Sequence, residues 1–309
     1  MECYDQTIIS LCFDEWRPPI EAASLSHIIQ ETHTLPSIPE VANRLLEILQ
    51  DPEASTPEIS TLIERDPALS IKVLQLANSA MFAPASPVHS IERAIVLLGF
   101  NTVRFLITGV AVLQVAQKMP ANDILTPENF WNSAFRGAVI AKYLAEIFNY
   151  SEPNEAYLAG LIREIGQIAL IQCIYEKYLQ VVEAARQAKI PVELKEKEIL
   201  GFTHADVGAL LVVKWNLDEN LATAIAAYPF PSDYPDLEKK FLTALLSLAD
   251  KLAKLDKPEL EDFETLLNSL DRLVLQELEK CEAFDLNPSS LENAWKEILP
   301  LIESGNPFA

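Results

Sequence analysis

The sequence predicts an all-α protein, and three observations carry that expectation. Apolar residues recur at helical spacing along most of the chain, and no stretch sustains the alternation of a half-buried strand. Only eight glycines occur in 309 residues, which leaves little material for hairpin turns.

Taken in order, residues 1–24 read as an irregular leader carrying Trp16, Pro18 and Pro19. Residues 25–118 form a first helical lobe. Val41, Leu45, Ile48 and Leu49 share one helical face; Ile59, Leu62 and Ile63 another; Leu69, Val73, Leu74 and Leu76 a third; and Ile91, Ala94, Ile95 and Leu98 a fourth. Thr56-Pro57-Glu58, Asp66-Pro67 and Thr126-Pro127-Glu128 each set a capping oxygen ahead of a proline at the first helical position. Gly99 and Gly201 read as helix stops, and Asn78-Ser79 as a helix end with Asn in left-handed geometry. Residues 119–255 form a second helical lobe, whose stretch "AYLAGLIREIGQIAL" reads as one helix from near Asn154 through Leu170. Arg163, Glu164 and Gln167 make a narrow polar stripe on that otherwise apolar helix. Residues 256–309 carry 13 acidic against four basic side chains, yet Leu266, Leu267, Leu270, Leu273, Val274 and Leu278 keep helical spacing. This segment is expected to fold onto the body and show an acidic face.

Composition excludes several function classes. A formal net charge of −21 opposes nucleic acid and anionic membranes, because phosphate binding rests on Lys and Arg releasing counterions. The start "MECYDQTIIS" has no basic n-region, and the apolar run from Phe105 to Ala116 is broken by Thr108, Gly109 and Gln114, so no signal peptide or membrane insertion is expected. Cys3, Cys12, Cys173 and Cys281 lack any paired spacing, which fits a reducing cytoplasm. No GxGxxG or Walker pattern occurs. His27, His33 and His89 are isolated and receive no role.

The stretches "LPSIPEVANRLLEILQDPEASTPEISTLIERDPALSIKVLQLANSAMF", "SIERAIVLLGFNTVRFL", "NFWNSAFRGAVIAKYLAEIF", "AYLAGLIREIGQIAL" and "LGFTHADVGALLVVKWNL" occur in the order seen in the HDOD (HD-related output domain) family, and the chain resembles that family over about Leu35 to Asp250. The resemblance implies a two-lobed helical fold related to the HD and HD-GYP metal phosphohydrolases. It also places the positions of their metal site. Ser133 stands where the first His is expected, Arg163 and Glu164 occupy the His-Asp doublet, His204 lies in "THADVG", and Asp250 in "LADKLAK" matches the closing Asp. The stretch around Tyr228 has none of the further histidines of two-metal relatives. Glu164, His204 and Asp250 retain donor atoms, but a guanidinium has no lone pair to offer and repels a divalent cation.

The resemblance therefore implies a non-enzymatic regulatory module of bacterial signal transduction, acting through protein partners in the cytoplasm, with no metal, no cofactor and no catalytic residue. Alternatives are a sensor of a small anionic ligand or nucleotide that uses Arg163, a scaffold, and a residual phosphohydrolase using Glu164, His204 and Asp250. Too few residues precede Leu35 for an appended receiver domain, so input is expected from a separate protein or from the leader and acidic segment. Other readings of the residues also stand: Arg163 and Glu164 as a solvated stripe, His204 as a core or capping histidine, Asp250 as a surface acid before Lys251 and Lys254. If the positions converge, Arg163 is expected to bridge Asp250 in preference to its helix neighbour Glu164, whose side chain diverges by roughly a hundred degrees on a continuous helix.

Overall fold

The structure is a computed structural model that describes residues 55–79, 86–100, 126–215, 217–234 and 240–303, with isolated positions at 45, 48, 82, 84, 103 and 107. The leader and most of the stretches 41–49 and 105–116 lie outside the described residues. Among the described residues every regular element is helical: α1 (Thr56–Glu64), α2 (Pro67–Ala77), α3 (Pro127–Ile147), α4 (Pro153–Ile162), α5 (Ile165–Ala188), α6 (Val192–Leu200), α7 (His204–Lys214), α8 (Glu219–Ala227), a 3-10 turn (Pro231–Asp233), α9 (Lys240–Ala253), α10 (Leu260–Asn268), α11 (Arg272–Glu279) and α12 (Pro288–Glu303). Residues 91–100 are helical as well, with Ile91, Ala94 and Ile95 buried and Gly99 at φ 76°.

Local chemistry sets several boundaries. The Asn129 N–H donates to Thr126 Oγ1 at 3.1 Å, and the Leu69 N–H to Asp66 Oδ1 at 3.1 Å, so both expected caps form ahead of their prolines. The first start is shifted by one residue: Ser55 is the N-cap of α1, without a side-chain bond, and Thr56 is already helical. Gly201 ends α6 at φ 83°, a left-handed turn that suits a residue without Cβ. Asn78 does end α2, but its φ is not positive. Its amide instead clamps the returning chain, donating to Val88 O and Leu74 O at 2.8 Å each and accepting from the Val88 N–H at 2.7 Å.

One continuous helix over Ala156–Leu170 is not what forms. The chain turns at Arg163 and Glu164, the C-cap of α4 and the N-cap of α5 (Glu164 φ −99°, ψ 7°). Everything from Glu155 to Ile162 is buried, as an all-apolar helix requires. The described stretch apolar and long enough to cross a membrane, Pro153–Ala188, is mostly covered by the rest of the protein. Helix α9 lies at the centre, buried from Leu242 through Asp250 and packed on α3, α4, α8 and α11. The last segment joins this body through Phe263, Leu266, Val274, Leu278, Leu291, Trp295 and Ile298, all buried. Helix α12 packs on α3 and α10, and Arg136 of α3 lies over the Trp295 ring at 5.0 Å.

Candidate functional site

The turn between α4 and α5 points Arg163 into the junction of α3, α4 and α9. The side chain is 0 % exposed. A guanidinium has five N–H donors, and each is used. Nε donates to Asp250 Oδ1 at 3.0 Å; Nη1 to the carbonyls of Ser133 (3.2 Å) and Gly160 (2.8 Å); Nη2 to Ser133 Oγ (3.0 Å) and Glu164 Oε1 (3.2 Å). Space for it comes from Gly137 on α3: a Cβ there would stand 2.0 Å from Nη1 and 2.6 Å from Cζ.

Electrostatics agree with the geometry. Burial opposes charge at Arg163, but the carboxylates of Glu164 and Asp250 outweigh it and raise the guanidinium further above its usual value. Burial would push Asp250 up, yet the cations of Lys254 and Arg163 hold its carboxyl down at about 2. Lys254, half-exposed, closes the outer side: its Nζ is 2.8 Å from Asp250 Oδ2 and 3.0 Å from Glu193 Oε1.

His204 builds a second centre at the first residue of α7. Thr203 caps this helix in a reciprocal box with Asp206, whose side chain takes the Thr203 N–H at 2.7 Å. His204 is buried; its Nδ1 lies 2.9 Å from Glu196 Oε1 and Oε2, its backbone N–H donates to Glu196 Oε2 at 2.9 Å, and its Nε2 lies 3.1 Å from Tyr228 Oη. Tyr178 Oη donates to Glu196 Oε1 at 2.7 Å. Burial disfavours the imidazolium, but Glu196 foremost, with Glu193 and Glu164, raises its pKa to about 9. Burial likewise opposes charge on Glu196, and His204 lowers its pKa nonetheless. Gly166 lets α5 approach here, since a Cβ would fall 1.8 Å from the His204 carbonyl oxygen.

The structure thus bonds Ser133, Arg163, Glu164 and Asp250 directly, with the expected Arg163 to Asp250 pair present. His204 shares none of these bonds and reaches Tyr228, whose hydroxyl is pushed well above its usual value by burial first and then by the charges of Asp250, Glu193 and Glu164. Three readings of the sequence are corrected. Arg163 and Glu164 are buried, so they are no solvated stripe, and Asp250 is no surface acid. Glu164 also does not diverge from Arg163, because the turn between α4 and α5 folds its carboxylate back onto Nη2. Sequence reasoning missed Tyr178, Glu193, Glu196 and Lys254 as site residues. Glu193 and Glu196 sit in "ELKEKE", a charge pattern typical of an exposed helix, and only the tertiary fold turns both carboxylates inward.

A divalent cation does not fit these residues. Arg163 holds the place between Ser133, Glu164 and Asp250 with a permanent positive charge, and both ring nitrogens of His204 are already engaged by Glu196 and Tyr228. Among the described residues no group of three or more His, Cys, Asp or Glu side chains is arranged to ligate a metal.

Comparison with known proteins finds an HDOD domain over residues 35–229. A relative from Treponema pallidum (strain Nichols), described as an uncharacterized protein, is 27 % identical over 192 residues; the match takes in 61 % of this chain and 37 % of the relative, so the chain spans well under half of that protein. Among solved structures, an HDOD domain protein of unknown function from Geobacter sulfurreducens has a TM-score of 0.73 at 23 % identity, covering 91 % of this chain and 96 % of its own. A candidate phosphohydrolase from Shewanella amazonensis SB2B has a TM-score of 0.73 at 26 % identity, covering 94 % and 100 %. A candidate signal-transduction protein from Marinobacter aquaeolei VT8 has a TM-score of 0.60 at 23 % identity, covering 91 % and 65 %.

Proposed function

From the premise that the chain belongs to the HDOD family, we propose that it is a signal-transduction module that acts through protein contacts in the cytoplasm and carries no phosphohydrolase chemistry. One observation carries the reading: Arg163 is wholly buried at a position of the related enzymes' metal doublet, with every N–H bonded to the protein itself. Hydrolysis of that type needs a cation to lower the pKa of its water, and a guanidinium supplies the charge without the open coordination site. Ser133, Arg163, Glu164, His204 and Asp250 are on this reading the remains of a catalytic site, converted into a structural charge network. A role for Arg163 as sensor of an anionic ligand is disfavoured by the same bonds, since an anion would have to displace Asp250 or Glu164 from it. The Marinobacter aquaeolei neighbour, described as a signal-transduction protein, supports the coarse assignment to signalling, and the chain's acidity favours partners with basic surfaces.

The test is turnover. Purified protein with Mn²⁺ or Mg²⁺ is expected to leave bis(p-nitrophenyl) phosphate, nucleoside phosphates and cyclic dinucleotides intact. Metal-dependent hydrolysis that His204→Ala abolishes would overturn the proposal.

A further inference from the structure

Helix α6 is built inside out. Its inward face carries Glu193 and Glu196, 4 % and 0 % exposed, together with Leu200 at 8 % and a half-buried Val192, while Leu194 and Ile199 face outward at 42 % and 41 %. An ordinary surface helix does the reverse, burying its aliphatics and solvating its acids. Charge and hydrogen bonding therefore hold the middle of α6 down, and Leu200 and Val192 add apolar contacts at its ends. Its main helix packing is on α5. Its remaining grip is by side chains: Glu193 to Lys254 of α9 at 3.0 Å, Glu196 to His204 of α7 at 2.9 Å and to Tyr178 of α5 at 2.7 Å, and Lys197 to Asp233. Both flanks carry left-handed residues, Lys189 at φ 54° before it and Gly201 at φ 83° after it, with Pro191 as the N-cap.

We propose that α6 is a charge-latched arm, hinged near Lys189 and Gly201, that opens as a unit from the α5, α7 and α9 body when the links of Glu193 and Glu196 are broken. Its use as the moving part of a signalling protein rests on the function proposed above; the opening itself does not. The latch follows from what each link connects. Lys254 bridges Asp250, which belongs to the Arg163 centre, and Glu193, which belongs to the arm, so one ammonium couples the two. Glu196 takes the His204 ring, the His204 backbone N–H and the Tyr178 hydroxyl, so lifting α6 strips the second centre of its carboxylate.

Amide hydrogen exchange on the full chain tests this. In the wild type, amides Glu196 to Leu200 are expected to exchange at least about tenfold faster than those in the interiors of α5 and α7, showing an opening below the global one. Lys254→Met and Glu193→Gln should each speed α6 exchange about fivefold, with any helix that exchanges only through global unfolding following by no more than the same factor. Exchange of α6 in step with α5 and α7 in the wild type overturns the latch, even if neither variant folds. So does an unchanged α6 rate in both variants. None of these outcomes bears on hydrolysis, and a hydrolytic activity would overturn the regulatory reading while leaving the exchange result standing.

Discussion

Arg163 and His204 are both wholly buried and both face carboxylates, yet they hold the protein in different ways. Arg163 reaches Ser133 on α3, Gly160 on α4, Glu164 at the turn and Asp250 on α9, so one guanidinium ties four parts of the body together. His204 takes its carboxylate from Glu196 on the peripheral α6. The first cation cannot lose its proton at any accessible pH; the second can. The interior thus carries one permanent charge that ties the body together and, beneath α6, one conditional charge whose strength depends on pH.

The sharpest way to break this comparison is to remove the permanent charge. Arg163→Met keeps much of the volume but leaves Asp250 and Glu164 buried without their shared cation, and a loss of about 3–5 kcal/mol is expected in urea unfolding at neutral pH. Adding Asp250→Asn should return part of that loss, because the second uncompensated charge is then gone. A loss under about 1 kcal/mol for Arg163→Met would mean that water reaches the site and that the two centres do not differ in kind.

The conditional charge is tested by pH. His204 titrates at about 9 in the folded chain against 6.5 for a free side chain, so the folded state holds the proton more tightly. The stabilisation is complete below about pH 6.5 and fades as the pH rises through about 9, by up to about 3 kcal/mol. As the proton leaves, Tyr228 can reverse its hydroxyl and donate to Nε2, which keeps the ring bonded while the ion pair is lost. His204→Gln should flatten this part of the stability profile. A profile with the same slope in wild type and His204→Gln would assign the pH dependence to other groups.

The third effect is steric. In Gly137→Ala the new Cβ meets a guanidinium that has nowhere to go, because all its donors are fixed, and about 2 kcal/mol should be lost. Combined with Arg163→Met, the same alanine should cost clearly less, since the guanidinium clash has been removed and only the 3.1 Å approach to the Gly160 carbonyl remains. Independent, additive losses would show that Gly137 serves the crossing of α3 and α4 and not the arginine.

How far the sequence revealed this is clear from single residues. Thr126, Asp66 and Gly201 were legible because a cap depends on neighbours within a few positions. Thr56 was misplaced by one residue, since Ser55 beside it is an equally good cap. The break between Ile162 and Ile165 has no local mark: no glycine or proline stands at the turn and apolar residues flank both sides. Ser133, Arg163, Glu164, His204 and Asp250 could be set in register by their motifs. Glu193, Glu196, Tyr178 and Lys254 could not, because a carboxylate in a run of alternating charges looks solvated until packing decides which side faces inward.

The smallest expected effect isolates burial from charge on a single carboxylate. Asp250 gives Oδ1 to Arg163 at 3.0 Å and Oδ2 to Lys254 at 2.8 Å, so the two cations have nearly equal geometry. They differ in solvent: the arginine side chain is 0 % exposed and that of the lysine 49 %. In Lys254→Met, water can replace the ammonium at Oδ2 and at Glu193, and the remaining Arg163 still compensates Asp250. A global loss of only about 1 kcal/mol is therefore expected, shrinking at high salt because the exposed end of the pair is screened. The loss for Arg163→Met should barely change with salt, since no mobile ion reaches that oxygen. Equal losses for the two variants, or equal salt dependence, would mean that Asp250 counts its cations without regard to burial, and that the buried guanidinium holds it no more firmly than the half-exposed ammonium.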